Sequence, residues 1–209
     1  MKLRKIVLSL AVIGLLFASC DDSKKKEAEA EEAAQAEQMK MEEEAALQAE
    51  EESRMQADYE ANTIAAIAMR SASFTTLTSV IQSAELAETL SSEGPYTVFG
   101  PTNQAFDKMP RATWDDLMKP ENKEQLRSLL TYHVISGEFM VADVIEAIES
   151  NNNSYEVVTV QGDKLTLSLI DGNVTIKDAN GKTSKVVTAD IDASNGVIHT
   201  IDTVVMPKA

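Results

Sequence analysis

The chain has 209 residues and a formal net charge of −15, with a pI near 4.5. Such an acidic balance leaves no basic stripe to hold a phosphate backbone, so nucleic acid is excluded as a partner. A single cysteine excludes an intramolecular disulfide framework.

Residues 1–19 read as a lipoprotein signal peptide. Lys2, Arg4 and Lys5 make a charged start, residues 6–17 an apolar run, and Ala18-Ser19-Cys20 place small residues before the only cysteine. The run is too short for a comfortable bilayer span. A cysteine directly after small residues resembles the bacterial lipobox, which implies cleavage before Cys20 and acylation of its thiol. An ordinary signal peptide with an incidental cysteine is the other reading. Several acyl chains, at roughly 0.8 kcal/mol per buried CH2, anchor stably where a single one does not. The expected location is the bacterial cell envelope, lipid-anchored, with the outer membrane or cell surface preferred to an inner-membrane site facing the periplasm.

Residues 20–60 form the acylated cysteine and an acidic, Ala/Glu-rich tether. From residue 21 to 60 there are fifteen acids against five bases and no glycine or proline. Alanine, glutamate, glutamine and methionine favour helix, so a solvated helix is expected rather than coil. Met39, Leu47 and Met55 recur every eight residues, which does not sustain a coiled-coil heptad. Fully helical, about thirty-five of these residues at roughly 1.5 Å each hold the domain roughly 50 Å from the lipid.

Residues 61–209 suffice for one domain with a real core. Ile64, Ile67 and Ala68 predict a short helix, and Leu77, Val80, Ile81 and Ala84 follow the spacing of a second. Gly94-Pro95 breaks before a strand over 96–99, and Pro101-Thr102 starts and caps another helix. Thr113 to Asp116 has capping-box spacing; Pro120 suits a helix first turn ahead of Leu126, Leu129 and Leu130. Val141, Val144, Ile145 and Ile148 make one more amphipathic helix. β-rich runs then occupy 157–160, 165–169, 174–176 and 186–188, separated by Gly- and Asn-containing turns. After Asn195-Gly196 a long strand runs to the proline at 207, with both faces mostly apolar, as in a strand covered on both sides. Helices first and strands later make the fold class α+β.

The terminal stretch from Ser194 to Pro207 resembles the second signature box of the fasciclin-type (fasciclin/beta-Ig-H3) domain, an adhesion module. Tyr96 to Phe106 resembles the first box, and Leu130-Thr131-Tyr132-His133-Val134 the tyrosine-histidine motif between them. Gly100 departs from the alanine expected there, and residues 178–183 form a longer turn than usual. The resemblance implies a fasciclin-like fold, with N-terminal helices packed on a β-sandwich or wedge of mostly antiparallel strands. It also singles out Tyr132, His133 and the Asp190-Ile191 pair as a candidate interaction motif.

His199 shares a strand face with Val197, Ile201 and Val205, so a buried, hydrogen-bonded role is expected. No Gly-x-Ser-x-Gly elbow is present, and the run from Asp190 to Gly196 lacks the register and closing glutamate of a calcium loop. The expectation is a non-enzymatic adhesion or interaction module with no metal, cofactor or catalytic residue. It is held to a membrane by lipid on Cys20 and meets a protein or polysaccharide partner. The alternative is a carrier of an apolar small molecule such as a carotenoid, as the resemblance allows.

Overall fold

The structure, a computed structural model, describes residues 21–208, with side chains from residue 35 onward. Cys20 and the signal peptide expected at 1–19 lie outside the described residues. The chain divides into two compact units, Met1–Glu52 and Ser53–Ala209. In the first, the described residues are all helix, part of α1 (Asp21–Ala61). Side chains 35–58 are exposed, Met39 and Leu47 included, as an almost wholly polar and alanine helix surface requires.

The second unit carries seven further α-helices: α2 (Ile64–Arg70), α3 (Thr75–Ser83), α4 (Ala87–Leu90), α5 (Asn103–Asp107), α6 (Arg111–Leu117), α7 (Lys123–Tyr132) and α8 (Val141–Ser150). Thr63 and Thr102 cap α2 and α5 through their hydroxyls. Seven strands, β1 (Tyr96–Pro101), β2 (Val134–Ser136), β3 (Tyr155–Val158), β4 (Lys164–Ile170), β5 (Asn173–Lys177), β6 (Thr183–Ala193) and β7 (Gly196–Ile201), form one sheet in the order β2-β1-β7-β6-β5-β4-β3. Only β1 and β7 pair in parallel. A bridge between Ile135 and Thr159 brings the sheet's two ends together, so it is nearly closed.

All six residues of β7 are buried, because apolar side chains cover the sheet on both faces. Ile198 packs with the helical core of α2, α3 and α7, whereas Ile201 and Val205 join Phe99, Tyr132, Ile148, Leu165 and Ile176 in a second core. The fold is thus α+β, an N-terminal helical layer packed against a mixed sheet.

Several elements differ from their expected bounds. β7 stops at Ile201: the Asp202 N–H still donates to the Lys185 carbonyl at 3.1 Å, but side chains then take over, with Asp202 Oδ1 accepting the Lys185 N–H at 2.9 Å and Ser184 Oγ that of Thr203 at 3.1 Å. Val204 and Val205 nevertheless stay buried. α6 starts at Arg111 after Pro110, so Thr113 lies inside the helix and caps nothing. β6 extends well past the expected 186–188, through two register shifts that break its alternation. The long turn after β5 is locked by the buried Asp178, whose carboxylate accepts the N–H groups of Asn180, Lys182 and Met206 at 2.9, 2.8 and 3.0 Å.

Candidate functional site

Tyr132 and His133 end α7, whose Leu126, Leu129 and Leu130 bury its inner face. Tyr132 is wholly buried; its hydroxyl donates to the Lys164 carbonyl at 3.1 Å and accepts the Ala179 N–H at 3.0 Å. The ring therefore ties α7 to β4 and to the turn after β5, and burial pushes its pKa up.

His133 is the C-cap of α7 and 3% exposed. Its Nδ1 lies 2.7 Å from the Leu129 carbonyl, one of the acceptors a helix C-terminus leaves open. A carbonyl can only accept, so Nδ1 carries the proton and Nε2 is a bare lone pair. Nε2 is buried and has no hydrogen-bond partner. Burial pushes the imidazole down to about 4, which keeps it neutral near pH 7.

Asp190 sits in the irregular part of β6 with φ +56°, a left-handed conformation that aspartate tolerates better than most residues. Its Oδ1 accepts the Val141 N–H at 2.8 Å, placing a carboxylate at the N-terminus of α8. Its own N–H donates to His199 Nδ1 at 3.2 Å, so the ring donates from Nε2 to the Phe139 carbonyl at 2.7 Å. His199 is 2% exposed, as expected, and burial lowers its pKa. Ile191 is half-buried against the helical core.

The two motif pairs do not converge. The His133 carbonyl accepts the Phe99 N–H at 2.9 Å, Phe99 is in register with His199, and His199 holds Asp190. The pairs are thus separated by three strand spacings, roughly 14 Å. Of the four residues, Asp190 is the one with an accessible functional group, its side chain 33% exposed.

Two residues that sequence reasoning passed over hold this region in place. Thr97 donates to the Gly137 carbonyl at 2.8 Å and accepts the Phe139 N–H at 2.9 Å, fixing the loop that His199 also holds. Asn195, read only as part of a turn, is buried with its side-chain amide fully bonded. The signal available in each case was a polar residue beside the apolar run of a signature box, Thr97 before Val98-Phe99 and Asn195 before Val197-Ile198.

Among the described residues, no group of three or more His, Cys, Asp or Glu side chains could hold a metal ion. Both imidazoles are committed to backbone groups, and no catalytic constellation forms around them. No single described helix is long and apolar enough to cross a membrane. Two apolar cavities share Leu90, Leu130 and Val134 and measure about 40 and 20 Å³. A larger open groove of about 380 Å³ lies between α3, α5 and α6.

The fasciclin domain family model matches residues 72–207. The chain belongs to the fasciclin family. It is 44% identical over 147 residues to protein sll1483 of Synechocystis sp., covering 70% of this chain and 74% of that protein. It is 33% identical to the cell surface glycolipoprotein MPB83 of Mycobacterium bovis, covering 70% of this chain and 61% of the relative. The fold matches the FAS1 domain pair of the insect cell adhesion molecule fasciclin I, with a TM-score of 0.61 at 18% identity, over 69% of this chain and 51% of that one. In this fasciclin domain the first box is β1 with α5, the second is β7 with its tail, and the tyrosine-histidine motif joins α7 to β2.

Proposed function

We propose that this fasciclin protein is a lipid-anchored, non-enzymatic adhesion or interaction module of a bacterial cell envelope. Cys20 is the attachment point, and residues 20–60 are the spacer that carries the domain to a protein or polysaccharide partner. The observation that carries this reading is the order of parts. An apolar run ends in Ala18-Ser19-Cys20, a polar helix over Asp21–Ala61 comes after it, and a fasciclin domain comes next. That a relative is named a cell surface glycolipoprotein supports the anchor and the outward-facing location. Within the motif residues, Asp190 offers a partner its carboxylate beside the half-buried Ile191, while Tyr132 and His133 are buried and hold α7 against the sheet.

Metabolic labelling with an alkyne fatty acid, followed by protease shaving of intact cells, tests the anchor and the exposure. Wild type should take up label and be shaved, and Cys20→Ala should lose the label. Label retained in Cys20→Ala contradicts the anchor.

The carrier reading has one observation in its favour, the two adjoining apolar cavities. At about 40 and 20 Å³ they offer space on the scale of single waters, so a carotenoid-sized ligand requires the helices to open. Visible absorbance in an organic extract of the purified protein is the result that would restore it.

A further inference from the structure

The groove between α3, α5 and α6 has the size of a ligand site, about 380 Å³, and is lined by Thr76, Phe106, Asp107, Met109, Arg111 and Trp114. Its floor is apolar and anchored. Phe106 is buried in the helical core, and Met109 and Trp114 are half-buried against the same core. Phe106 and Trp114 meet edge to face, centroids 5.5 Å apart at 72°. That geometry leaves at least one indole face uncovered by Phe106.

The rim is polar. The carboxylate of Asp107 is on an exposed residue, and Thr76 contributes a hydroxyl. The Arg111 side chain is 90% exposed, and its ion pair with Asp115 is stretched to 3.8 Å. Such a pair contributes little, so the guanidinium keeps its donors for another partner.

An aromatic floor bordered by one acceptor, one multiple donor and a hydroxyl matches a pyranose ring. The C–H face of a sugar presents weakly positive hydrogens to the negative π face. Adjacent sugar hydroxyls can donate to a carboxylate and accept from a guanidinium together. Charge selects among saccharides: the groove carries one carboxylate and one guanidinium, whereas the whole chain at −15 repels a polyanion.

We propose that this groove binds one sugar unit of a neutral polysaccharide, with Trp114 as the stacking platform and Asp107 and Arg111 as the hydroxyl-reading pair. The proposal rests on the interaction-module reading and names the class of its partner, but it does not depend on the anchor at Cys20.

Trp114 is the only tryptophan, so its emission reports the groove alone. The full chain in detergent is titrated with cellohexaose, laminarihexaose, maltohexaose and chitohexaose, and with an oligogalacturonate as the polyanion. At least one neutral oligosaccharide should give a saturable change and the oligogalacturonate none. Arg111→Gln and Asp107→Asn should each weaken binding about tenfold, with melting curves unchanged because both residues are exposed. No response to any neutral oligosaccharide, or full affinity in both variants, overturns the proposal. So does a photocrosslinker at position 111 that captures protein and no glycan. Fatty-acid labelling of Cys20 is a separate readout, so failure of the groove and failure of the anchor are told apart.

Discussion

The side-chain carbonyl of Asn195 accepts the backbone N–H of Ile64 at 2.8 Å, across 131 residues of chain. The same amide donates to the carbonyls of Leu90 and Ser92, each at 2.9 Å. With its backbone carbonyl accepting the Tyr96 N–H at 3.0 Å, this one residue joins the start of α2, the end of α4 and the start of β1 to the turn before β7. The helical layer and the sheet are registered against each other through a buried polar group, not through apolar contact alone.

Asn195→Ala should therefore cost more than an ordinary surface turn substitution. It strands one donor and two acceptors, each worth about 1 to 3 kcal/mol when left unpaired and buried. With water reaching some of them, a net loss of roughly 3 kcal/mol, or about 10 °C in melting temperature, is expected. Asn195→Asp should be at least as damaging, because it turns an oxygen toward the two carbonyls. Thermal denaturation followed by circular dichroism checks both; a melting temperature within a degree or two of wild type contradicts the role.

His133 makes stability depend on pH. Its folded pKa of about 4 lies below the ordinary 6.5, so between these values the unfolded chain binds a proton that the folded one refuses. Stability is present in full above pH 6.5, falls as pH falls toward 4 and then levels, a loss of about 3 kcal/mol. His199, also lowered by burial, acts in the same direction. Urea denaturation at pH 7 and pH 4.5 should show the loss in wild type and a much smaller one in His133→Leu. His199→Ala, which strands the Asp190 N–H and the Phe139 carbonyl, should already be destabilised at pH 7 by about 2 to 4 kcal/mol.

Long periodic runs were legible because burial imposes them: the apolar spacing of α7 and α8 and the alternating apolar residues of β4 and β5 all reappear as elements. β6 was legible only in part, at 186–188, because its two register shifts between Val186 and Ile191 interrupt the alternation that would mark one long strand. β2 is three residues long, too short for any period. Of the candidate residues, Tyr132 and His133 could be picked out by resemblance, but their burial is set by the elements α7 packs against. The groove at Trp114 had no signature at all. It exists because α3 brings Thr76 beside a segment some thirty residues later, a tertiary event.

The tether should separate into a dispensable and a structural part. Residues 35–52 are exposed, so deleting them should leave the melting temperature within about 1 °C. Deletion through residue 62 should cost more, because the Ser194 hydroxyl donates to the Tyr59 carbonyl at 2.6 Å and the Ser194 N–H to that of Asn62 at 2.9 Å. Losing these contacts, about 1 kcal/mol each, should lower the melting temperature by several degrees. Equal melting temperatures for the two deletions would show that the end of α1 contributes nothing to the domain.

Gly100 is the departure from the family pattern with a local cause. A Cβ built there lies 3.2 Å from two ring carbons of Phe74 and 3.3 Å from the Ile198 side chain, tighter than ordinary van der Waals contact. Phe74 is 1% exposed and wedged into the helical core, so its ring has little room to retreat. Two effects oppose each other in Gly100→Ala. Restricting the unfolded chain favours the alanine by about 0.4 to 1 kcal/mol. Overpacking costs about 1 to 3 kcal/mol. The packing term wins, for a net loss of about 1 kcal/mol. Phe74→Leu alone should also destabilise, by leaving a cavity. If the two side chains compete for the same space, Gly100→Ala in the Phe74→Leu background should turn neutral or stabilising. A double-mutant cycle measured by thermal denaturation gives the coupling directly. Additive losses would mean that the ring and the missing methyl group are independent, and that the glycine needs another explanation.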